Sequence, residues 1–363
     1  MQGHGTEIPD FEFAARLLVE SSEPPTWKIL IDRLDDVFRA NADLGQLNNT
    51  QRGKETSGGR ALPPGEAAEC LKDHIRTARF AKGLHSAICA AQQKFTERPI
   101  RVLYAGCGPF ATFAMIVAPL FDEGEVEFTA LDIYETSLAC ARGVAQCLGQ
   151  ANKFREFKYA DATKYKTNGW RPHIIITETM QSQLLTEPQP QITANLGDQT
   201  AEGGFFLPEL VEVTAFSADV NGETLNGFPM ISEMEKLGQV FELTPDIAKR
   251  IKDERGEIDE QKLKAALSID VTFEVRGRAG KLSRFMLETR VQIFGENVLY
   301  PDCSIGITNR AFEEWNPISD PVQAEISYVA GMDDQIVFRR RDGSENEAIS
   351  RIRNVTLRDL GTC

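Results

Sequence analysis

Short apolar segments alternate with amphipathic ones through the middle of the chain, and this alternation constrains the fold more than any other feature. Strands are predicted at residues 101–104, 126–131 and 174–176, and helices at 111–121 and 135–148. Strands that alternate with helices build a parallel sheet with helices on both faces. The region therefore predicts a doubly wound α/β domain.

A different pattern begins after residues 203–208. Apolar and polar residues alternate at 211–217, 269–275 and 285–294, as they do in antiparallel strands with one solvated face. A charged segment between the first two of these strands, residues 230–267, has apolar positions at helical spacing and predicts a helical insert. The expected fold class is therefore α/β followed by antiparallel β.

The N-terminal part follows neither pattern. Apolar positions at helical spacing predict amphipathic helices at 11–19 and 27–38, with two prolines between them. Residues 41–65 are polar and rich in glycine, asparagine and proline, which predicts a linker or a mobile loop. The expected units are a helical extension with its linker, an α/β domain and a β domain, at residues 1–65, 66–206 and 207–363.

The formal net charge of -14 limits the partners that the chain can bind. It argues against nucleic acid, whose phosphates attract basic surfaces, and it suits a cationic or neutral substrate. The polar start and the lack of a long apolar run predict neither a secretion signal nor a membrane span, so a cytoplasmic location is expected. Seven scattered cysteines and four histidines form no ligand cluster, so no metal is expected.

Three polar elements follow consecutive predicted strands and suit an adenosine. Gly106 and Gly108 lie between the first strand and its helix, where glycines let the backbone approach a ligand closely. Asp132 ends the next strand and can accept hydrogen bonds from both ribose hydroxyls. Asp161 follows the third strand and can accept from the exocyclic amine of adenine. Each residue alone is more often structural, but the three in order predict an adenosine-containing ligand.

Two common cofactors, NAD and S-adenosylmethionine, contain adenosine. NAD sites use three glycines and hold a pyrophosphate at the helix start, whereas here Gly106 and Gly108 are followed by Pro109 and Phe110. S-adenosylmethionine has no phosphate, and its carboxylate needs a cation such as an arginine nearby. The sequence therefore favours S-adenosylmethionine as the cofactor.

Two glutamates, Glu178 and Glu187, follow the apolar run 174–176. Open α/β sheets bind ligands at the carboxyl ends of their strands, so both carboxylates are expected near one pocket. A guanidinium has five donors in a rigid fork and matches carboxylates two bonds at a time. The pair therefore indicates a guanidino ligand, and a loop with two solvated acids is the alternative.

Two motifs are similar to those of protein arginine methyltransferases. Residues 69–82 contain the Asp-x-x-Arg-Thr pattern of that family, and residues 177–187 resemble its double-glutamate loop in spacing and in a Leu-Leu pair. The resemblance implies that Arg76 binds the carboxylate of S-adenosylmethionine, with Asp73 beside it. It also assigns the glycine loop and the acid after the second strand to that cofactor.

The same resemblance implies the substrate side of the site. Glu178 and Glu187 are expected to be the catalytic residues that hold a guanidinium, with Met180 also at the substrate. A Glu-Glu-Trp segment resembles the Thr-His-Trp loop of the family, which implies substrate contacts for Glu314 and Trp315. The expected substrate is arginine, either free or in a peptide.

The resemblance also implies the architecture and the assembly. The segment 203–208 resembles the family's link into its β-barrel, so we expect a Rossmann-like methyltransferase domain followed by an antiparallel β-barrel-like domain with a helical insert. Helical spacing at 241–252 and 262–267 within the insert matches the family's dimerisation arm. A homodimer is therefore expected, and a helical cap folded back on its own barrel is the alternative.

Four positions depart from the family pattern. Tyr104 replaces an acid before the glycine loop, Thr179 an aromatic residue, Gln181 a glycine and Glu314 a histidine. Two other functions therefore stay open. One is a methyltransferase that acts on another small amine or hydroxyl, and the other is a catalytically silent binding protein on the same fold.

Overall fold

The structure of the protein is a computed structural model, and its helices and strands are numbered here in chain order. It describes residues 4–47, 53–225, 228–254, 256–275, 282–301, 310–315, 322–330, 336–341 and 348–351. None of the helices within these residues is both long and apolar enough to cross a membrane.

The N-terminal part consists of helices and one hairpin. Its helices are α1 (His4–Glu20), α2 (Pro24–Asn41) and the short α3 (Leu44–Leu47), and its strands are β1 (Lys54–Thr56) and β2 (Gly59–Ala61). The two predicted amphipathic helices are thus confirmed. Phe38 of α2 contacts Phe11 of α1 at 6.0 Å and Phe110 of the α/β domain at 5.7 Å between ring centroids. These helices therefore extend the main apolar core rather than standing apart from it.

The prediction of a linker at residues 41–65 is wrong for residues 54–61. There the chain forms an antiparallel hairpin, in which Lys54 pairs with Ala61 and Thr56 with Gly59. Gly59 has a φ of +128°, a conformation that glycine adopts without steric cost, so this residue permits the tight turn. A polar, glycine-rich sequence suits a turn as well as a linker, and the contacts that select the hairpin come from distant residues.

The α/β domain begins with a broken helix. Its first elements are α4 (Pro64–Glu69), a 3₁₀ turn (Cys70–Lys72) and α5 (His74–Lys94). Asp73 caps α5, since its side chain accepts from the backbone N–H of Arg76 at 3.3 Å. The break turns the first residues of α5 inward, and Arg76 is only 7% exposed.

Five parallel strands form the central sheet. They are β3 (Ile100–Ala105), β4 (Val126–Asp132), β5 (Phe154–Tyr159), β6 (Ile174–Thr177) and β7 (Phe205–Leu207). Their spatial order is β5-β4-β3-β6-β7, and every neighbouring pair is parallel. Chain order therefore reverses beside β3, which creates a crevice at the carboxyl ends of the strands.

Helices cover both faces of this sheet. They are α5, α6 (Thr112–Val117), α7 (Glu135–Cys147) and α8 (Gln189–Leu196). One face belongs to the main core that continues into the N-terminal helices, and the other carries a smaller apolar cluster that includes Leu103, Ile175 and Leu196. Burial on both faces explains why β3 and β6 are nearly continuous apolar runs.

Antiparallel strands make up the rest of the chain. One sheet contains β8 (Leu210–Leu225), β9 (Phe228–Leu243), β11 (Leu282–Phe294), β12 (Asn297–Leu299) and β13 (Arg310–Trp315). The other contains β10 (Ser268–Val275), β14 (Val322–Val329), β15 (Ile336–Arg341) and β16 (Ala348–Arg351). The predicted change to an antiparallel β domain is confirmed.

The predicted helical insert at residues 230–267 is partly wrong. Residues up to Leu243 belong to β9, and only α9 (Ile247–Ile251) and α10 (Glu260–Leu267) are helical. The sequence of β9 resembles that of a surface helix, because a long solvated hairpin strand carries as many charged residues as such a helix does. β9 pairs with β8 along most of its length, and that pairing selects the strand.

The apolar face of α9 is covered within the chain. Ile247, Ala248 and Ile251 are buried, and α9 lies against α8 of the α/β domain. Lys252 donates to the carbonyl of Asn195 at 2.9 Å and pairs with the carboxylate of Asp198. The expected docking on a second copy is therefore wrong for α9. The alternative was a helical cap folded back on the chain's own barrel. α9 does cap its own chain, but it packs on the α/β domain.

We predict that Gly197→Ala destabilises this contact. A Cβ at Gly197 would overlap the carbonyl oxygen of Pro245 and would lie 2.8 Å from that of Thr193. Overpacking of this kind costs about 1–3 kcal/mol, so the melting temperature should fall in calorimetry. The control is Gly143→Ala inside α7, where the nearest atom to a new Cβ is 3.9 Å away. Equal melting temperatures for the two variants would contradict the packing of α9 on α8.

Candidate functional site

A single pocket at the carboxyl ends of β3, β4 and β6 collects most of the residues that the sequence singled out. Its empty volume is about 970 Å³, which includes space open to solvent. The predicted site residues that line it are Arg76, Gly106, Gly108, Asp132, Asp161, Glu178 and Glu187. The topology of the sheet thus brings together residues that are far apart in the chain.

The glycine loop turns sharply under the pocket. Gly106 has a φ of +72° and Gly108 a φ of +66°, a region that side chains rarely adopt. The backbone N–H groups of Gly106 and Cys107 donate to the carbonyl of Leu131 at 2.8 and 3.0 Å. A Cβ at Gly106 would also overlap the side chain of Thr179, so this glycine lets the two loops of the site meet.

Asp132 braces the glycine loop and faces the pocket. Its two carboxylate oxygens accept from the backbone N–H groups of Gly108 at 2.9 Å and Tyr134 at 2.8 Å. Burial raises the pKa of Asp132 to about 6, even though both hydrogen bonds act to lower it. Each carboxylate oxygen has a second lone pair, so this residue can still accept from a ligand hydroxyl.

Asp161 lies at the same end of the pocket, beside the hairpin. Its Oδ1 accepts from the backbone N–H of Thr163 at 2.9 Å and from its hydroxyl at 2.7 Å. The Thr163 hydroxyl lies 3.1 Å from that of Ser57 in the hairpin turn. These local hydrogen bonds thus hold the Asp161 side chain beside the pocket, and its carboxylate can still accept from a ligand.

Sequence reasoning missed the residues that bring the hairpin to the pocket. The hydroxyl of Tyr134 accepts from the backbone N–H of Lys54 at 2.6 Å and lies 3.3 Å from the carbonyl of Ala61, so it contacts both hairpin strands. Thr56, Ala61 and Leu62 then line the pocket. Tyr134 follows Asp132 by two residues, and that adjacency was the available sequence signal. The hairpin itself gave no signal.

Arg76 lies between the start of α5 and the first glutamate. Its Nη1 donates to Oε1 of Glu178 at 3.1 Å, and its Nη2 donates to the carbonyl of Cys70 at 2.8 Å. Its Nε is 3.8 Å from a carboxylate oxygen of Asp73. Burial acts to lower the pKa of Arg76, but the charge of Glu178 and the interactions with Cys70 and Asp73 together outweigh this and raise it well above its ordinary value. The guanidinium therefore remains charged inside the pocket.

The two glutamates differ in their electrostatic surroundings. Burial raises the pKa of Glu178, and the charge of Arg76 opposes that shift. Burial also raises the pKa of Glu187, and the negative charge of Glu178 adds to the shift, which brings it to about 8. At neutral pH one carboxylate is therefore paired with an arginine while its neighbour largely keeps its proton. A ligand cation between them would favour the charged form of both.

Gln189 closes the base of the loop that carries the glutamates. This fully buried residue accepts at Oε1 from the backbone N–H of Thr179 at 3.0 Å and from its hydroxyl at 3.1 Å. Its own backbone N–H donates to the carbonyl of Thr179 at 3.1 Å. Thr179 thus supplies the polar atoms that fix the loop.

The three remaining predicted site residues are Met180, Glu314 and Trp315. Met180 is buried in the main core, with 4% exposure, and is not among the residues that line the pocket. Glu314 and Trp315 end β13, where their backbones pair with Arg284 and Ser283 of β11. The prediction that the Glu-Glu-Trp segment is a loop is wrong, because its backbone pairs with β11 in an antiparallel sheet.

Comparison with known proteins identifies the architecture. No protein-family model matches the chain, and no curated protein matches it either. A chain of the Trypanosoma brucei PRMT1 enzyme–prozyme heterotetrameric complex with AdoHcy superposes with a TM-score of 0.54 over 79% of this chain and 97% of that one. This chain has the protein arginine methyltransferase fold. The predicted Rossmann-like domain followed by an antiparallel β domain is therefore confirmed, while 12% sequence identity carries no further assignment.

The raised pKa of Glu187 predicts how the stability of the folded chain depends on pH. Its pKa is about 8 in the folded chain and 4.5 ordinarily, so between these values the folded state binds more protons than the unfolded state. Stability must then fall as pH rises through that window. We predict that Glu187→Gln removes this contribution, so the melting temperature of the variant minus that of the wild type increases from pH 5 to pH 8.5.

The control for this experiment is Glu202→Gln, which makes the same chemical change at an exposed surface position. Its melting temperature should follow that of the wild type at every pH. A Glu187→Gln difference that stays constant across the range would show that Glu187 titrates normally in the folded protein.

Proposed function

We propose that this chain is an S-adenosylmethionine-dependent methyltransferase that methylates a guanidino nitrogen. One observation supports the proposal above all others. Glu178 and Glu187 line the same pocket as the glycine loop and Asp132, so an adenosine and a guanidinium would meet inside one cavity. The architecture of protein arginine methyltransferases, and the AdoHcy of the trypanosomal complex, agree with this.

The residues of the pocket fit S-adenosylmethionine from end to end. Asp132 and Asp161 have acceptor capacity for the ribose and the adenine, and Gly106 and Gly108 leave room where side chains would project. Arg76 is buried and charged in the same pocket, and the ligand's carboxylate needs such a cation. When bound, the cofactor supplies an electrophilic methyl group on a sulfonium.

The two glutamates would bind the guanidinium and orient one nitrogen. A guanidinium stays protonated at any physiological pH, so its nitrogens are poor nucleophiles unless the charge is drawn toward the other two. Glu178 and Glu187 hold those two nitrogens and direct the third toward the methyl. That orientation would present the nitrogen to the methyl group of the cofactor, and positioning can supply roughly 7–11 kcal/mol of the barrier.

Glu187 is the better candidate for the proton acceptor, once a bound guanidinium has favoured its charged form. The methylated nitrogen must lose a proton, and an acceptor is most effective when its pKa lies near the working pH. Burial and the charge of Glu178 raise the pKa of Glu187 to about 8. Glu178 is instead held as a carboxylate by Arg76, which suits a residue that binds charge.

Arg76 would couple the two halves of the site. It now donates to Glu178 at 3.1 Å, and the same guanidinium would bind the cofactor carboxylate. A second carboxylate on Arg76 weakens its hold on Glu178 and leaves that glutamate better able to bind a substrate cation. Cofactor binding would therefore precede tight substrate binding.

A calorimetric and enzymatic comparison tests the proposal. S-adenosylhomocysteine should bind the chain in calorimetry, and labelled S-adenosylmethionine should transfer its methyl to free arginine or to an arginine-rich peptide. Transfer only to simple amines or to hydroxyl compounds would favour the other methyltransferase function. Binding without transfer to any acceptor would favour a silent binding protein, and no binding would contradict all three.

Each glutamate should be essential for turnover. We predict that Glu178→Gln and Glu187→Gln each lower kcat/KM by at least about a hundredfold, which corresponds to about 2.7 kcal/mol of transition-state stabilisation. The affinity for S-adenosylhomocysteine should change little, because neither glutamate is assigned to the cofactor. Glu202→Gln is again the matched control. Near wild-type turnover in either glutamine variant would remove that residue from the proposed mechanism.

We also infer a homodimer, although α9 does not supply its contact. Phe13 of α1 is 63% exposed and Ile29 of α2 is 71% exposed, so these two apolar side chains are the candidates for its contact. Light scattering at micromolar concentration should give twice the chain mass. The double change Phe13→Ser and Ile29→Ser should give monomers, whereas Arg16→Ser on the same exposed surface should not. A monomeric wild-type chain would contradict the inference.

A further inference from the structure

The loop between the two glutamates reaches into the β domain. Its middle residue, Gln183, is fully buried although it lies on a loop. Gln183 and Leu184 have φ values of +58° and +50°, which side chains other than glycine adopt only when their surroundings impose them. The contacts that impose this conformation come from the β domain rather than from the α/β domain that carries the loop.

Both sheets of the β domain contact Gln183. The backbone N–H of Gln183 donates to the hydroxyl of Thr289 in β11 at 2.8 Å, and its side-chain Nε2 donates to the carbonyl of Leu287 at 3.2 Å and to the same hydroxyl at 3.3 Å. The hydroxyl of Tyr328 in β14 donates to the carbonyl of Gln183 at 2.6 Å. Thr289 and Tyr328 are both fully buried, so water does not compete for these bonds.

We propose that Thr289 and Tyr328 position the two glutamates for catalysis by holding Gln183. Gln183 lies near the middle of the segment that joins Glu178 to Glu187. Gln189 fixes the base of the loop, and the contacts with Thr289 and Tyr328 fix its tip. A loop held at both places has one conformation, so both carboxylates keep a fixed position above the pocket.

This arrangement gives the β domain a part in the chemistry without any contact with the reacting atoms. Thr289 and Tyr328 are positioning residues, since they act through the backbone of Gln183. Gln183 is polar where an apolar residue would pack at least as well, and its Oε1 has no hydrogen-bond partner within the described residues. A side chain chosen only for packing would not leave that atom buried, whereas the Nε2 contacts with β11 account for an amide here.

The test uses Thr289→Val and Tyr328→Phe in the full chain. Each variant keeps the shape of the side chain and removes one hydroxyl from Gln183. Hydrogen exchange should become at least about tenfold faster at the amides between Glu178 and Glu187, while exchange in β11 and β14 stays as in the wild type. Because small misplacements of catalytic groups can cost roughly a hundredfold in rate, kcat should fall by about tenfold or more, with little change in the affinity for S-adenosylhomocysteine.

Thr129→Val is the matched control. Thr129 is a fully buried strand threonine like Thr289, but its hydroxyl has no hydrogen-bond partner in the described part of the chain. This variant should leave loop exchange and kcat unchanged. Loop exchange in Thr289→Val and Tyr328→Phe that matches Thr129→Val would overturn the proposal, and so would fast loop exchange with an unchanged kcat.

The effect on kcat rests on the proposed function, but the exchange measurement does not. If the wild-type chain methylates no acceptor, the proposed function fails while loop exchange still decides whether Thr289 and Tyr328 hold the loop. If the wild type is active and loop exchange is insensitive to both variants, the proposed function stands and only the positioning role is lost.

Discussion

The buried ion pair between Arg76 and Glu178 is the interaction on which the rest of the site depends. A guanidinium that is 7% exposed is costly unless its donors are used, and here a carboxylate and a backbone carbonyl use them. The pair joins the start of α5 to the end of β6, two elements far apart in the chain. It also leaves Glu187 as the second carboxylate of a buried pair, and burial together with the charge of Glu178 raises the pKa of Glu187.

Much of the fold was predictable because its periodicity is local. Burial on two faces accounts for the apolar runs of β3, β4 and β6. Burial on one face accounts for the helical spacing of apolar residues in α1 and α2. The insert at 230–267 was misread because β9 carries charges on a solvated surface, and only its pairing with β8 distinguishes it from a helix. The hairpin at 54–61 depends on Tyr134, whose contact no local pattern encodes.

The candidate site was likewise predictable from the sequence only in part. Glycines and acids at strand ends were predictable, because parallel topology alone brings the ends of β3, β4 and β6 together. The role of Gln183 was not, since a glutamine in a polar loop resembles any solvated residue until the β domain covers it. The prediction for Glu314 and Trp315 was wrong for a different reason. Their three-residue motif was assigned to a loop, whereas its backbone pairs with β11 in a sheet.

The two-domain architecture has a physical consequence for the chemistry. A loop at the end of a parallel strand is normally mobile, because few backbone groups on it have partners. Here the α/β domain holds the base of the loop through Gln189, and the β domain holds its tip through Thr289 and Tyr328. Two carboxyl groups that must bind one guanidinium together need such a rigid support. The β domain therefore supplies rigidity to a pocket formed almost entirely by the α/β domain and the hairpin that precedes it.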